Sequence, residues 1–173
     1  MTFQLSREAL NRLLNDSRLW FMVGLGSDYT RPAYRVAEYL QKVGKTVVPI
    51  YPRGVTVLGQ SSYRTIADAA HVHGSPDVVE VFVRSSRAGE FADEAVRHGA
   101  SAVWFPLDVI DHAAAERVAA AGRTIVMDRC PVIEFEHPKY KPSFIHDVPD
   151  PKSKPDRKST RLNSSHQIIS YAV

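Results

Sequence analysis

The chain has 173 residues, of which 44% are hydrophobic and 24% are charged, and its formal net charge is +3. This length and composition suit one globular domain, and they exclude a fibrous protein or a chain too polar to bury a core. No apolar run approaches the ~20 residues that a membrane helix needs, and the first residues, MTFQLSREALNRLL, lack the apolar segment of a signal peptide. The single cysteine, Cys130, excludes an internal disulfide, so we expect a cytoplasmic protein.

An amphipathic helix opens the chain, with Leu10, Leu13 and Leu14 at helical spacing behind Ser6, a residue suited to a helix N-cap. Apolar and amphipathic segments then alternate in the order βαβαβαβαβ. The predicted strands are short and almost continuously apolar, as buried parallel strands are: residues 20–23, 46–50, 78–83, 102–105 and 124–127. The predicted helices are residues 32–43, 65–70, 87–98 and 111–121, and a loop or small hairpin spans 51–63.

The alternation predicts the fold class α/β, with a Rossmann-like, doubly wound, parallel five-stranded sheet and helices on both of its faces. With the five strands numbered along the chain, we expect the order 3-2-1-4-5. In such a sheet, ligands bind beyond the carboxyl ends of the strands. We expect residues 1–136 to form this domain together with the N-terminal helix, and residues 137–155 to form a proline-rich arm.

The segment 156–173 differs from the rest of the chain. Its residues DRKSTRLNSSH are the translation of a nucleotide string that resembles a common short-read sequencing adapter, so we interpret the segment as an artefact of adapter translation. It carries three basic residues and one acidic residue, which leaves 19 Lys and Arg against 18 Asp and Glu in the rest of the chain. The charge therefore does not indicate a nucleic-acid partner.

The most informative motif follows the first predicted strand, where Gly24-Leu25-Gly26 leads into a helix that begins at Pro32. Paired glycines let the backbone turn tightly and approach an anion, and we expect a positive φ at Gly26. The first N–H groups of the following helix favour negative charge, and proline suits the first helical position. The dinucleotide motif G-x-G-x-x-G would need a third glycine where this chain has Tyr29. The turn thus predicts a phosphate site that is not a standard NAD site.

Arginines replace the acidic residue that a NAD site requires. Near the end of the second strand, where Asp or Glu would hold the ribose 2′-hydroxyl, this chain has Arg53. Guanidinium groups suit bidentate contact with phosphate, and five of them fall on or near the expected phosphate rim: Arg31, Arg35, Arg53, Arg84 and Arg87. NADP and coenzyme A both carry an extra phosphate on the adenosine ribose, so charge and periodicity leave these two ligands open.

Five segments within residues 19–136 resemble, in order, the standalone bacterial family of CoA-binding domains: GLGSDYTRPAYRVAEYLQKVGKTVVPIYPRG, LGQSSY, VEVFVRS, EAVRHGASAVWFPLDV and VMDRCPVIE. They are also similar to the CoA-binding domain of the succinyl-CoA synthetase α subunit. The resemblance implies a Rossmann-like domain that holds the CoA pyrophosphate over the glycine turn. The positions that match the three loops of the family are Gly24, Gly26, Ser27, Arg31 and Pro32, then Tyr51, Pro52 and Arg53, then Val83, Arg84 and Ser85.

The resemblance does not imply catalysis, because in the synthetase a phosphorylated histidine of a further domain carries the chemistry. The seven histidines of this chain form neither a spaced set of metal ligands nor a Ser/His/Asp set. We therefore expect a protein that binds CoA or acyl-CoA without its own turnover, as a carrier, a sensor or the partner of an acyl-CoA enzyme. The alternative is an NADP-dependent oxidoreductase or redox sensor on the same scaffold.

Cys130 has two interpretations. It follows the last predicted strand, where a ligand thiol could reach it, and the neighbouring Arg129 would favour its thiolate form. It is either a small packing residue or a redox contact with CoA.

Overall fold

The computed structural model describes residues 3–141. The segment 156–173 and most of the expected arm lie outside this range. The elements follow the chain as α1 (Arg7–Asp16), β1 (Leu19–Val23), α2 (Pro32–Lys42), β2 (Thr46–Ile50), β3 (Thr56–Val57), β4 (Gln60–Ser61), α3 (Ile66–His73), β5 (Val78–Val81), α4 (Ser85–Arg97), β6 (Ala102–Trp104), α5 (His112–Ala120), β7 (Thr124–Val126) and α6 (Pro131–Phe135).

Five strands form one parallel sheet in the order β2-β1-β5-β6-β7, and β3 and β4 form a small antiparallel hairpin. The α/β class with a parallel five-stranded sheet is confirmed. The expected strand order is wrong: counted along the chain, the five strands lie in the order 2-1-3-4-5. The chain passes outward from β1 to β2 and then returns to β5 on the other side of β1, so the winding reverses between β1 and β5.

Pro49 explains why β2 lies at the edge of the sheet. A proline has no N–H, so it is found on edge strands with that position facing outward. The carbonyl of Pro49 accepts a hydrogen bond from the N–H of Tyr63, at 2.9 Å, on the side of β2 away from β1. Because the N and C=O of one strand residue point to the same side, the missing N–H also faces outward. The order 3-2-1-4-5 would place β2 inside the sheet, where this donor would be needed.

The sheet separates two apolar clusters. Phe21 and Val79 point into a cluster with helices α3, α4 and α5, whereas Trp20 and Trp104 point into a cluster with α1, α2 and α6. Alternate strand residues thus serve opposite faces, as expected for a sheet covered on both sides. None of the helices within residues 3–141 has the length and apolarity needed to cross a bilayer.

Residues 137–141, the start of the expected arm, lie against α1. The hydroxyl of Tyr140 donates to Asn15 Oδ1 at 2.8 Å, and Asn11 Nδ2 donates to the carbonyl of Lys139 at 2.9 Å. The ring of Tyr140 also packs edge-on against Phe135, with 5.2 Å between the ring centroids. This part of the arm therefore joins α1 to α6.

Candidate functional site

A cleft of about 1100 Å³ lies at the carboxyl ends of the parallel strands. Segments that follow all five strands contribute to its wall, from Gly24 after β1 and Tyr51 after β2 to Pro131 after β7. Its volume lies just above the ~300–1,000 Å³ common for small-molecule sites. The cleft occupies the position at which doubly wound sheets bind their ligands.

Most of the residues predicted for the site line this cleft. They are Gly24, Gly26, Arg31, Pro32, Tyr51, Pro52, Val83, Arg84 and Cys130. Three are not part of the lining: Ser27, Arg53 and Ser85. Ser27 and Arg53 are exposed in the loops after β1 and β2. Arg35, which was expected near the rim, is an exposed residue of α2 outside the lining.

Ser85 supports a loop of the cleft. Its hydroxyl accepts a hydrogen bond from the N–H of Ile110 at 3.0 Å and donates to the carbonyl of Asp108 at 3.2 Å. Asp108 also uses its own N–H to donate to Asp128 Oδ1 at 2.8 Å. These contacts tie the loop after β6 to α4 and to the loop after β7.

The two positions of the turn hold glycine for different structural reasons. Gly24 has a φ of +85°, and a Cβ at this position would lie 2.2 Å from the carbonyl oxygen of Phe82. Only glycine therefore lets the end of β1 approach the end of β5. The expectation of a positive φ at Gly26 is wrong. The residue of this turn with a left-handed backbone is Gly24, which directly follows β1. A Cβ on Gly26 would instead lie 2.9 Å from ring atoms of Tyr51.

The helices that begin at the cleft lack side-chain caps. Among the described helices, three have an N-cap side chain that accepts a backbone N–H from the first turn: α1 with Ser6, α3 with Thr65 and α5 with Asp111. The N-cap residues of α2, α4 and α6 are Arg31, Arg84 and Cys130, and none of them makes such a bond. All three line the cleft. The cleft therefore collects helix N-termini whose N–H groups and dipoles favour an anion.

Four arginines line the cleft: Arg31, Arg64, Arg84 and Arg87. Arg31 Nε lies 3.6 Å from Asp28 Oδ2, and Arg87 pairs with Glu90 at 2.5 Å. Arg64 and Arg84 are exposed and form no ion pair within residues 3–141. Guanidinium groups without an acidic partner remain available to a phosphate ligand.

Sequence reasoning missed Arg64. It reaches the cleft because the neighbouring Tyr63 bridges to Ile50 at the outer edge of β2. No local pattern indicates this long-range pairing.

Asp28 is held as an anion beside Arg31. The hydroxyl and the N–H of Thr30 both donate to Asp28 Oδ1, at 2.6 and 3.0 Å. The hydroxyl bond is the main reason that the pKa of the Asp28 carboxyl lies below its usual value. The turn after β1 is thus fixed by its own polar contacts.

Cys130 lies half-buried in the wall of the cleft, where α6 begins. The indole Nε1 of Trp104 donates to the carbonyl of Arg129 at 2.8 Å and fixes the segment before it. The guanidinium of Arg129 pairs with Glu134 at 3.3 Å. Arg129 is therefore engaged by a carboxylate of α6. No group of three His, Cys, Asp or Glu side chains within residues 3–141 could hold a metal ion.

Glu80 is a buried acid in the central part of the sheet. It pairs in register with Met22 of β1 and Trp104 of β6, and it is 0% exposed. Neither carboxyl oxygen has a hydrogen-bond partner among the described residues. Burial raises the pKa of the Glu80 carboxyl well above its usual value. By strand alternation it shares a face with Phe82, two residues nearer the cleft.

The sequence profile of the CoA binding domain family matches residues 18–136. YneT, an uncharacterized protein of Bacillus subtilis (strain 168), is 26% identical over 125 residues, which make up 72% of this chain and 90% of that protein. A hypothetical protein from Pyrococcus horikoshii OT3 is 29% identical, with a TM-score of 0.73 over 78% of this chain and 92% of its own. The dinucleotide forming acetyl-coenzyme A synthetase 1 of Ca. Korarchaeum cryptofilum, in its apo form, shares the fold, with 20% identity and a TM-score of 0.55 over 68% of this chain and 27% of its own.

Proposed function

The chain belongs to the family of CoA-binding domains, and on this premise we propose that it binds coenzyme A or an acyl-CoA in the cleft at the strand ends. The observation that carries the proposal is the meeting of two uncapped helix N-termini, those of α2 and α4, with four arginines in one cleft. CoA brings a pyrophosphate and a ribose phosphate, which are the groups that such surroundings favour.

The pyrophosphate lies over the turn between Gly24 and Gly26 in this proposal. That turn lines the same cleft as the N-termini of α2 and α4, whose N-cap residues are Arg31 and Arg84. The close approach of Gly24 to the end of β5 brings the two loops together. Backbone N–H groups and two guanidinium groups would then surround the same anion.

The ribose phosphate is assigned to Arg53, and Arg53→Ala tests this assignment. We expect the substitution to weaken CoA binding by about 1.5–3 kcal/mol, the scale of a hydrogen bond to a charged group. Dephospho-CoA, which lacks that phosphate, should lose much less. Isothermal titration calorimetry with both ligands measures the difference, and Arg35→Ala, an exposed arginine outside the lining, is the matched control.

Equal losses for CoA and dephospho-CoA would show that Arg53 contacts another part of the ligand. Arg64 is the second candidate for the phosphate, because it lines the cleft and has no acidic partner within residues 3–141. Arg64→Ala in the same titrations distinguishes the two assignments.

The proposed role is that of a cytoplasmic bacterial carrier, sensor or partner of an acyl-CoA enzyme, without turnover by this chain. It is supported by the resemblance to the synthetase domain that holds CoA while a separate domain carries the chemistry.

The CoA thiol is proposed to lie near Cys130, and a disulfide exchange tests this orientation. With oxidised CoA, the Cys130 thiolate would attack one sulfur of the ligand disulfide, form a Cys130–CoA disulfide and release one CoA thiol. We expect intact mass spectrometry to show one added CoA, which reductant removes. Oxidised glutathione at the same concentration should react more slowly, because it is not concentrated by the cleft.

Absence of the adduct under conditions where CoA binds would contradict this orientation. Cys130 also packs against the apolar cluster of α1, α2 and α6. In that case, packing is its role.

A further inference from the structure

The two ends of the cleft differ in charge. The strand order places β2, β1 and β5 towards one end and β6 and β7 at the other. All four cleft arginines belong to the first end, in segments that follow β1, β5 or the hairpin beside β2: Arg31, Arg64, Arg84 and Arg87. Phosphate groups are therefore favoured at that end.

The β6–β7 end is mainly apolar. Its lining residues are Pro106, Leu107, Asp108, Val109, Cys130 and Pro131. The one charged member of this set, Asp108, is an acid that would repel a phosphate. The chemistry of the lining thus changes along the cleft from cationic to apolar.

Exposed aliphatic side chains also occur in the chain segments that carry this apolar lining. Leu107 is 50% exposed, and Ile110 in the same loop is 44% exposed. Ile133, in the helix that begins at Pro131, is 55% exposed. The hydrogen bond from Asp108 N–H to Asp128 ties the loop of Leu107 and Ile110 to the loop that precedes the helix of Ile133. We call Leu107, Ile110 and Ile133 the apolar rim.

We propose that the β6–β7 end of the cleft is an acyl subsite, and that the ligand class is a CoA thioester with an aliphatic acyl chain. The inference rests on the proposed function. CoA carries its phosphates at one end and its thiol at the other, and β2 and β7 are separated by four strand spacings of about 4.8 Å. With the phosphates among the arginines, the thioester points towards Leu107 and Cys130.

An acyl chain fits this end better than free CoA does. Free CoA would present only a thiol to the apolar rim, and the side chains of the rim would stay in contact with water. When an alkyl chain binds there, both the alkyl chain and the rim side chains lose contact with water. The gain in binding free energy is proportional to the apolar area buried. Leu107 lines the proposed CoA cleft itself, which favours a ligand group over a separate protein surface.

A chain-length series on the full chain tests the subsite. Titration with CoA, acetyl-CoA, butyryl-CoA and hexanoyl-CoA should give affinities that rise with length, because each fully buried methylene is worth about fourfold. In a half-open cleft we expect hexanoyl-CoA to bind at least tenfold tighter than CoA. Equal affinities across the series would overturn the subsite and leave CoA binding standing. Failure of every species to bind would overturn the proposed function itself.

The Leu107→Ser variant tests whether the dependence of affinity on acyl chain length arises at the apolar rim. It should reduce the ratio of hexanoyl-CoA to CoA affinity from tenfold or more to below threefold. Val72→Ser is the matched control, because Val72 is 61% exposed on α3 and does not line the cleft; its ratio should equal that of the unsubstituted protein. An unchanged ratio in Leu107→Ser would overturn the inference and leave the rim as a candidate protein contact. Circular dichroism verifies that both variants are folded.

Discussion

Gly26→Val is expected to abolish CoA binding while the protein remains folded. The backbone of Gly26 is not left-handed, so valine meets no penalty from a positive φ. Its Cβ would, however, lie 2.9 Å from the Tyr51 ring and force that half-buried side chain to move. The branched side chain would also fill the space proposed for the pyrophosphate.

Calorimetry with CoA measures the loss, and circular dichroism with thermal unfolding shows whether the fold survives. Gly54→Val is the matched control, since a Cβ at Gly54 meets no atom within 4 Å and its φ is not positive. Gly24→Ala cannot replace this test, because its Cβ would clash with the backbone of Phe82, just after β5, and lower stability directly. Full CoA binding by a natively folded Gly26→Val variant would show that the turn does not hold the ligand.

Glu80→Gln is expected to stabilise the protein increasingly as the pH rises. The pKa of Glu80 is raised in the folded state by burial, so the folded state holds its proton more tightly than the unfolded state does. Below the usual pKa of 4.5, Glu80 is protonated in both states and its ionisation does not lower the free energy of unfolding. As the pH rises from there towards the folded pKa, the unfolded state ionises first and the free energy of unfolding falls. The limiting slope is about 1.4 kcal/mol per pH unit.

Urea unfolding of both proteins between pH 5 and pH 8 measures this effect. The difference in the free energy of unfolding, variant minus unsubstituted protein, should grow as the pH rises over that range. Glu116→Gln, at an exposed position of α5, is the matched control. A pH-independent difference for Glu80→Gln would mean that the buried carboxyl has a partner that stabilises its anion.

The fold class follows from local patterns, whereas the strand order does not. Apolar segments and helix signals such as Ser6 and Pro32 depend on neighbouring residues, and the structure confirms the elements that they predict. The strand order depends on which edges pair, which a right-handed crossover leaves undecided. Pro49 indicates that β2 is an edge strand, since a proline inside a predicted strand favours the edge of a sheet.

The site shows the same division. The turn at Gly24 and the arginine at Arg84 could be predicted, because a loop after a parallel strand reaches the same edge of the sheet in any strand order. Arg64 could not, because its place depends on the bridge from Tyr63 to β2. The support that Ser85 gives to the β6 loop depends on contacts with residues far along the chain, which motif matching does not reveal.

The most direct test of CoA as the ligand is calorimetry of the protein with CoA, dephospho-CoA, NAD and NADP in the same buffer. We expect CoA to bind most tightly and dephospho-CoA to bind more weakly, because the cleft and its loops supply arginines for the ribose phosphate. We expect no binding of NAD, whose free ribose 2′-hydroxyl would meet Arg53 where a carboxylate is needed. Binding of NADP in preference to CoA would contradict CoA as the ligand and favour an oxidoreductase or redox sensor on this scaffold.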